Sequence, residues 1–209
     1  MRQLLLDFIQ APAPTFANFV HGGNAELFCA LESALRGSLA ERVVYLWGEP
    51  GAGKTHLARA FEGAAAEHGL RGFRVIDDVG RLDEAHQIEL FNDFNAQVFA
   101  FLLVTAGAAP REVAIRRDLA TRLATGLTFR VLPLSDSEKR AALAAHAKTR
   151  GFALSEEVSA YLLTHARRDM GSLVAALDAL DRYSLETGRP ITVPLLKAAM
   201  QPQLPMGRN

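Results

Sequence analysis

Eight consecutive residues, Gly48-Glu49-Pro50-Gly51-Ala52-Gly53-Lys54-Thr55, satisfy the spacing G-x-x-x-x-G-K-[ST]. Glycines at those positions let the backbone curl so that several N–H groups point inward, where a side chain would intrude. Such a ring of donors suits phosphate oxygens. Lys54 can reach the β- and γ-phosphates of a nucleotide, and the Thr55 hydroxyl can bind Mg²⁺. Further on, Val75-Ile76-Asp77-Asp78 reads as a strand ending in carboxylates. Placed beside a phosphate loop, Asp77 and Asp78 can hold the Mg²⁺ shell and orient a water. The gap from Lys54 to Asp77 has room for one helix and one strand and for no additional strand–helix unit.

The elements around these residues fit that chemistry. Val43 to Trp47 is a β-branched and aromatic run with glycine after it, the pattern of a buried parallel strand, and it delivers the chain into the loop. Helical spacing runs from Lys54 to about His68, and the N-terminal end of that helix adds partial positive charge at the loop. An earlier helix opens at Asn24 and runs to about Leu35, with Ala25, Leu27, Phe28, Leu31 and Leu35 at helical spacing. A strand over Phe73–Ile76, a helix over Asp83–Ala96, a strand over Phe99–Val104, a helix within Glu112–Ala124 and a strand over Leu127–Leu132 complete an alternation. Strands alternating with helices predict an α/β fold whose parallel sheet is flanked by helices. After Pro133 the pattern becomes helical throughout. Ser135-Asp136-Ser137-Glu138 is a capping box that starts a helix to about Arg150. Further helices follow Ser155, run from Met170 to Glu186 with Leu173, Val174, Leu177 and Leu180 on one face, and begin again after Thr192. The expected organisation is an extended tail over 1–14, an α/β nucleotide-binding domain over 15–133, a small all-helical lid domain over 134–201 and a C-terminal tail over 202–209.

Lys plus Arg equal Asp plus Glu at 23 each, so no global charge draws the chain to nucleic acid or to a membrane surface. No apolar run is long enough to span a bilayer, and the start has no signal-peptide h-region. The single cysteine, Cys29, sits among apolar residues and reads as a packing residue, which fits a reducing cytoplasm. The scattered histidines have no zinc-site spacing. One stretch is out of place: Gln3-Leu4-Leu5-Leu6-Asp7-Phe8 puts large apolar side chains at a terminus, just before Pro12 and Pro14. It is either a strand tucked against the chain's own core or a plug for a pocket on another protein.

Taken together these motifs resemble the AAA+ ATPases of the DnaA group. Thr15-Phe16-Ala17-Asn18-Phe19-Val20, with Gly22 and Asn24, is similar to the opening of that group's modules. GEPGAGKTHL is similar to its phosphate loop, Val75–Asp78 to its carboxylate strand, and Arg122-Leu123-Ala124-Thr125-Gly126-Leu127-Thr128 to its box VII. Arg168-Asp169-Met170, Leu173 and the run from Leu177 to Arg182 resemble the lid of its regulatory members. The resemblance covers nearly the whole chain.

The resemblance implies bound ADP or ATP with Mg²⁺, the nucleotide held by Gly48 to Thr55 and His56, with Phe19 and Val20 beside the adenine. It implies that Arg122 is an arginine finger, extended toward a γ-phosphate held by another subunit, with Arg116 and Arg117 as runners-up. It implies that Gln3, Leu4, Leu6 and Phe8 grip the DNA polymerase III β sliding clamp, so that DNA is reached mainly through the clamp. The activity implied is inactivation of the initiator DnaA by promoting hydrolysis of its ATP. An autonomous ATPase or a loader acting on another replication protein is the alternative, and a homo-oligomer is left open. Gly107 stands where the group often has a sensor Asp, and Gly171 where its lid usually offers an arginine, with Arg167 and Arg168 about a turn away. Both departures imply little turnover by this chain alone. With the sequence ending at Asn209, the group's helix-turn-helix DNA-binding domain is not expected.

Overall fold

The computed structural model describes residues 13–167 and 169–200. Gln3, Leu4, Leu6, Phe8 and Arg168 lie outside the described residues. The chain divides into two compact units, the first spanning Pro14–Leu134 and the second containing the helices from Ser135 onward.

In the first unit, α1 (Ala25–Leu35), β1 (Val43–Trp47), α2 (Lys54–Glu67), β2 (Phe73–Ile76), a 3₁₀ turn (Val79–Arg81), α3 (Glu84–Asn95), β3 (Phe101–Ala106), α4 (Arg117–Leu123) and β4 (Leu127–Arg130) follow one another. The strands form one parallel sheet in the order β2-β3-β1-β4. Alternate side chains of β1 and β3 enter opposite layers, as the period of a strand requires. Val44, Leu46 and Leu103 pack with Leu31 of α1 and with Leu57 and Phe61 of α2. Val43, Tyr45, Leu102 and Val104 pack with Leu90 of α3 and with Leu119 and Leu123 of α4. The two central strands are therefore apolar on both faces, and polar chemistry is confined to their C-terminal ends, where crossovers leave a crevice beside β1.

Two strands differ from the sequence reading. β3 starts two residues late: Phe99 turns its ring toward Phe94, its carbonyl accepts a bond from Arg42, and pairing with β2 begins only at Phe101. The helix expected within Glu112–Ala124 is α4, seven residues long because Val113 and Ile115 pack into the core as a turn and the Arg116 N–H donates to Gln87 Oε1. β4 ends at Arg130, although the Val131 N–H still donates to the Trp47 carbonyl at 2.7 Å. Cys29 faces outward on α1, exposed, and does not pack as expected. It falls between the buried positions Leu27, Phe28 and Leu31, so its apolar neighbours in sequence point the other way.

Asn24 does more than precede α1. Its side chain is 4% exposed, donates to the His21 and Leu132 carbonyls and accepts from the Leu132 N–H. One amide thus ties the opening segment to the chain leaving β4. Asn24→Ala should lower the stability of this unit by about 2–3 kcal/mol, because backbone groups of His21 and Leu132 lose their partner. Urea unfolding followed by circular dichroism measures it.

The second unit is α5 (Asp136–Thr149), α6 (Glu156–His165), α7 (Met170–Thr187) and α8 (Val193–Met200). Ser135 and Glu138 form the expected capping box, and Ser155 and Asp169 cap α6 and α7. Leu143, Leu162, Leu173, Leu177, Leu180 and Leu196 make its core. Asp178 and Asp181 point from α7 to α5, with Asp178 2.7 Å from His146 Nε2 and Asp181 accepting from Arg150 Nε at 2.8 Å.

Candidate phosphate and metal site

The phosphate loop joins the C-terminal end of β1 to the first turn of α2. A Cβ at Gly48 would lie 2.7 Å from the Val131 carbonyl oxygen, so the loop leaves the sheet through a gap that only glycine fits. Gly53 is the N-cap of α2 at φ 103°, and it offers no side chain to the helix amides. The first N–H groups of α2 are accordingly left to an outside acceptor. A Cβ at Gly53 would also meet the Phe19 ring at 2.7 Å. Ala52 is buried beneath the loop, whereas Glu49 and Pro50 are exposed. Glu49 lies 3.4 Å from Arg130, whose guanidinium sits over Trp47.

Lys54 donates to the Gly48 carbonyl at 2.7 Å and to the Glu49 carbonyl at 2.9 Å. Burial holds its pKa below the ordinary lysine range, opposed by the nearby charges of Asp78 and Asp77. The Thr55 hydroxyl donates to Asp77 Oδ1 at 3.2 Å. Loop and carboxylate strand are therefore brought together, as their place in the sequence predicts. Glycine positions that exclude a Cβ, a free helix end, one cation and a hydroxyl–carboxylate pair fit a nucleotide's phosphates and a Mg²⁺ ion. Lys54 and the α2 amides would hold phosphate oxygens, and Thr55 and Asp77 would hold the metal, which when bound neutralises phosphate charge. Asp78 takes a left-handed backbone, φ 61°; burial, with a smaller contribution from the Asp78 charge, pushes the Tyr45 phenol above its ordinary range. Among the described residues no group of three His, Cys, Asp or Glu side chains is placed to hold a metal without such a phosphate.

The opening segment sits on the same loop. Thr15 and Asn18 cap each other's backbone N–H groups. The Phe19 ring packs between Phe28, at 5.2 Å between centroids, and His56, at 5.3 Å. His56 Nε2 lies 2.9 Å from the Thr15 carbonyl. Phe19, His56 and Gly53 thus form one wall, with Val20 half-buried next in the chain.

The three candidate arginines, Arg116 at the N-cap of α4 and Arg117 and Arg122 within it, separate cleanly. Arg116 makes a two-pronged pair with Asp118 and also approaches Glu84, which commits it to its own surface. Arg117 and Arg122 are exposed, and neither side chain bonds to a described residue. Arg122 stands in the last turn, above the buried Leu119 and Leu123. Arg167, 88% exposed, lies 3.7 Å from Asp169. The sequence reading missed Thr105. This residue is fully buried at the end of β3, where its hydroxyl donates to Asp77 Oδ1 and accepts from the Asp78 N–H, both at 2.7 Å. The signal available was a lone hydroxyl in an otherwise apolar central strand.

The fold is of the AAA+ type, and the loop after β1 carries the phosphate-loop spacing. Domain III of the DnaA replication initiator from Thermotoga maritima superposes with a TM-score of 0.69 at 20% identity, covering 91% of this chain and 98% of that one. AMPPCP-bound DnaA from Aquifex aeolicus gives 0.68 at 21% identity, over 86% of this chain and 68% of that one. The RuvB Holliday junction branch migration motor of Thermotoga maritima gives 0.65 at 16%, over 90% and 71%. Residues 136–200 match the family model described as Hda, lid domain. The family match covers the lid, and the likeness to these solved structures is one of fold. No described helix is long and apolar enough to cross a membrane.

Proposed function

We propose that this chain is a regulatory AAA+ protein that binds ADP or ATP with Mg²⁺ and promotes hydrolysis of the ATP held by DnaA, thereby preventing over-initiation of replication. The observation that carries the reading is the match of residues 136–200 to the Hda lid, on a chain whose other unit has a DnaA-like fold. The Lys54, Thr55 and Asp77 geometry supports nucleotide and metal binding, and the neighbouring DnaA structure with AMPPCP is consistent with it. Arg122 is the finger offered in trans. It carries a guanidinium that is exposed and uncommitted, as a group that stabilises charge on another subunit's γ-phosphate must be. Arg117 shares that exposure but stands at the first residue of α4, and Arg116 is held by Asp118.

The N-terminal tail is the clamp anchor, with Leu6 and Phe8 entering an apolar pocket and Gln3 supplying amide hydrogen bonds. The decisive assay is DnaA–ATP hydrolysis with purified chain and sliding clamp loaded on DNA. Hydrolysis should rise only when all components are present, and no rise would reject the reading. Gln3→Ala with Phe8→Ala should remove the clamp-dependent part while nucleotide binding is kept; full stimulation by that variant would reject the anchor. Autonomous turnover is the second reading, favoured by the convergence of Thr55 and Asp77. ATP hydrolysis by the chain alone would support it, and Gly107 and Gly171 weigh against it.

A further inference from the structure

Thr105 is 0% exposed and occupies the fifth position of β3, Phe101–Ala106, whose other side chains are all apolar. A buried hydroxyl in such a strand is costly unless both its donor and its acceptor functions are used. Here they are used entirely on the two carboxylate-bearing residues of the neighbouring strand end. Its one proton goes to Asp77 Oδ1 at 2.7 Å, and it accepts the Asp78 N–H at 2.7 Å. Pairing of Ile76 with Val104 sets this meeting, since the next residue along each strand is Asp77 and Thr105. The accepted N–H belongs to the residue whose backbone is left-handed, so one hydroxyl fixes both a carboxylate and the turn behind it.

Asp77 Oδ1 also receives the Thr55 hydroxyl, more loosely, at 3.2 Å. Both bonds fall on the same carboxylate oxygen, and among the described residues none falls on Oδ2. We propose that Thr105 is a positioning residue for the metal: by pinning Oδ1 from inside the sheet it aims the Asp77 carboxylate at the Mg²⁺ that accompanies the nucleotide. This rests on the phosphate and metal reading above. Valine would match Thr105 in shape and suit the strand equally well, so packing alone gives no reason for the hydroxyl.

The test is calorimetric titration of ADP into the full chain, once with Mg²⁺ and once with EDTA, for wild type, Thr105→Val and Thr105→Ser. Wild type should bind more tightly with Mg²⁺. Thr105→Val should lose about tenfold of that enhancement, the scale of one hydrogen bond to a charged group, while its affinity in EDTA is kept. Thr105→Ser, which restores the hydroxyl, should recover the enhancement. Circular dichroism checks folding, and Thr105→Ala substitutes if the valine variant fails to fold. An unchanged enhancement in the folded variant overturns the proposal, as does an equal loss with and without metal, which would mark a purely structural role. Wild type with no enhancement overturns it too, and in that case the metal reading of the site falls with it.

Discussion

Arg122→Ala should abolish the stimulation of DnaA-bound ATP hydrolysis, lowering the stimulated rate about 10³-fold or more. The size of the effect follows from where the charge acts. A guanidinium delivered in trans meets negative charge that develops on the phosphoryl oxygens during transfer, in a site from which water is largely excluded, so it is worth far more than a surface ion pair. The expected cost to stability is small, within about 0.5 kcal/mol, because the side chain is exposed and α4 is anchored through Leu119 and Leu123. Arg122→Lys should recover little, since a compact ammonium lacks the planar fork that spans two oxygens. Arg116→Ala makes an informative contrast, because its loss releases Asp118 and Glu84 and removes a local pair. Single-turnover release of labelled phosphate from DnaA, with clamp on DNA, distinguishes these. A wild-type rate from Arg122→Ala would reject the finger.

Lys54→Ala should weaken nucleotide binding by roughly a hundredfold, the upper range for a hydrogen bond made by a charged donor to an otherwise buried acceptor. The ammonium is already directed into the loop by the Gly48 and Glu49 carbonyls, so little ordering is required before it meets a phosphate. Burial depresses its pKa, which sets a direction for pH. As pH rises, Lys54 loses its proton earlier than an exposed lysine would, and the affinity it contributes should decline correspondingly early on the alkaline side. Calorimetry with ADP across that range checks both statements. Wild-type affinity in Lys54→Ala would remove the loop from the account.

The phosphate loop was legible because its constraints are local. Gly48 needs its absence of a Cβ and Gly53 its positive φ, and both requirements are written in residue type. The helical unit was legible for a similar reason, since capping boxes and apolar stripes act within a few residues. What escaped notice depends on distant partners. Thr105 has meaning only when β3 lies against β2, and Asn24 matters beyond its cap position only when Leu132 returns beside it. Cys29 has apolar neighbours in sequence, but the helix turns Leu27, Phe28 and Leu31 inward and leaves Cys29 exposed. The late start of β3 has the same origin, since Phe99 is apolar enough for a strand yet is used by Phe94 and Arg42. Arg116 could be told from Arg122 only through Asp118 and Glu84, one of them on another helix.

The brevity of α4 bears on how the proposed finger would be presented. Two turns of helix with both inner leucines sunk in the core form a short stub anchored along its inner face. On the proposed function, approach of the whole partner would bring Arg122 within range of a foreign triphosphate, and recognition between surfaces would set the timing.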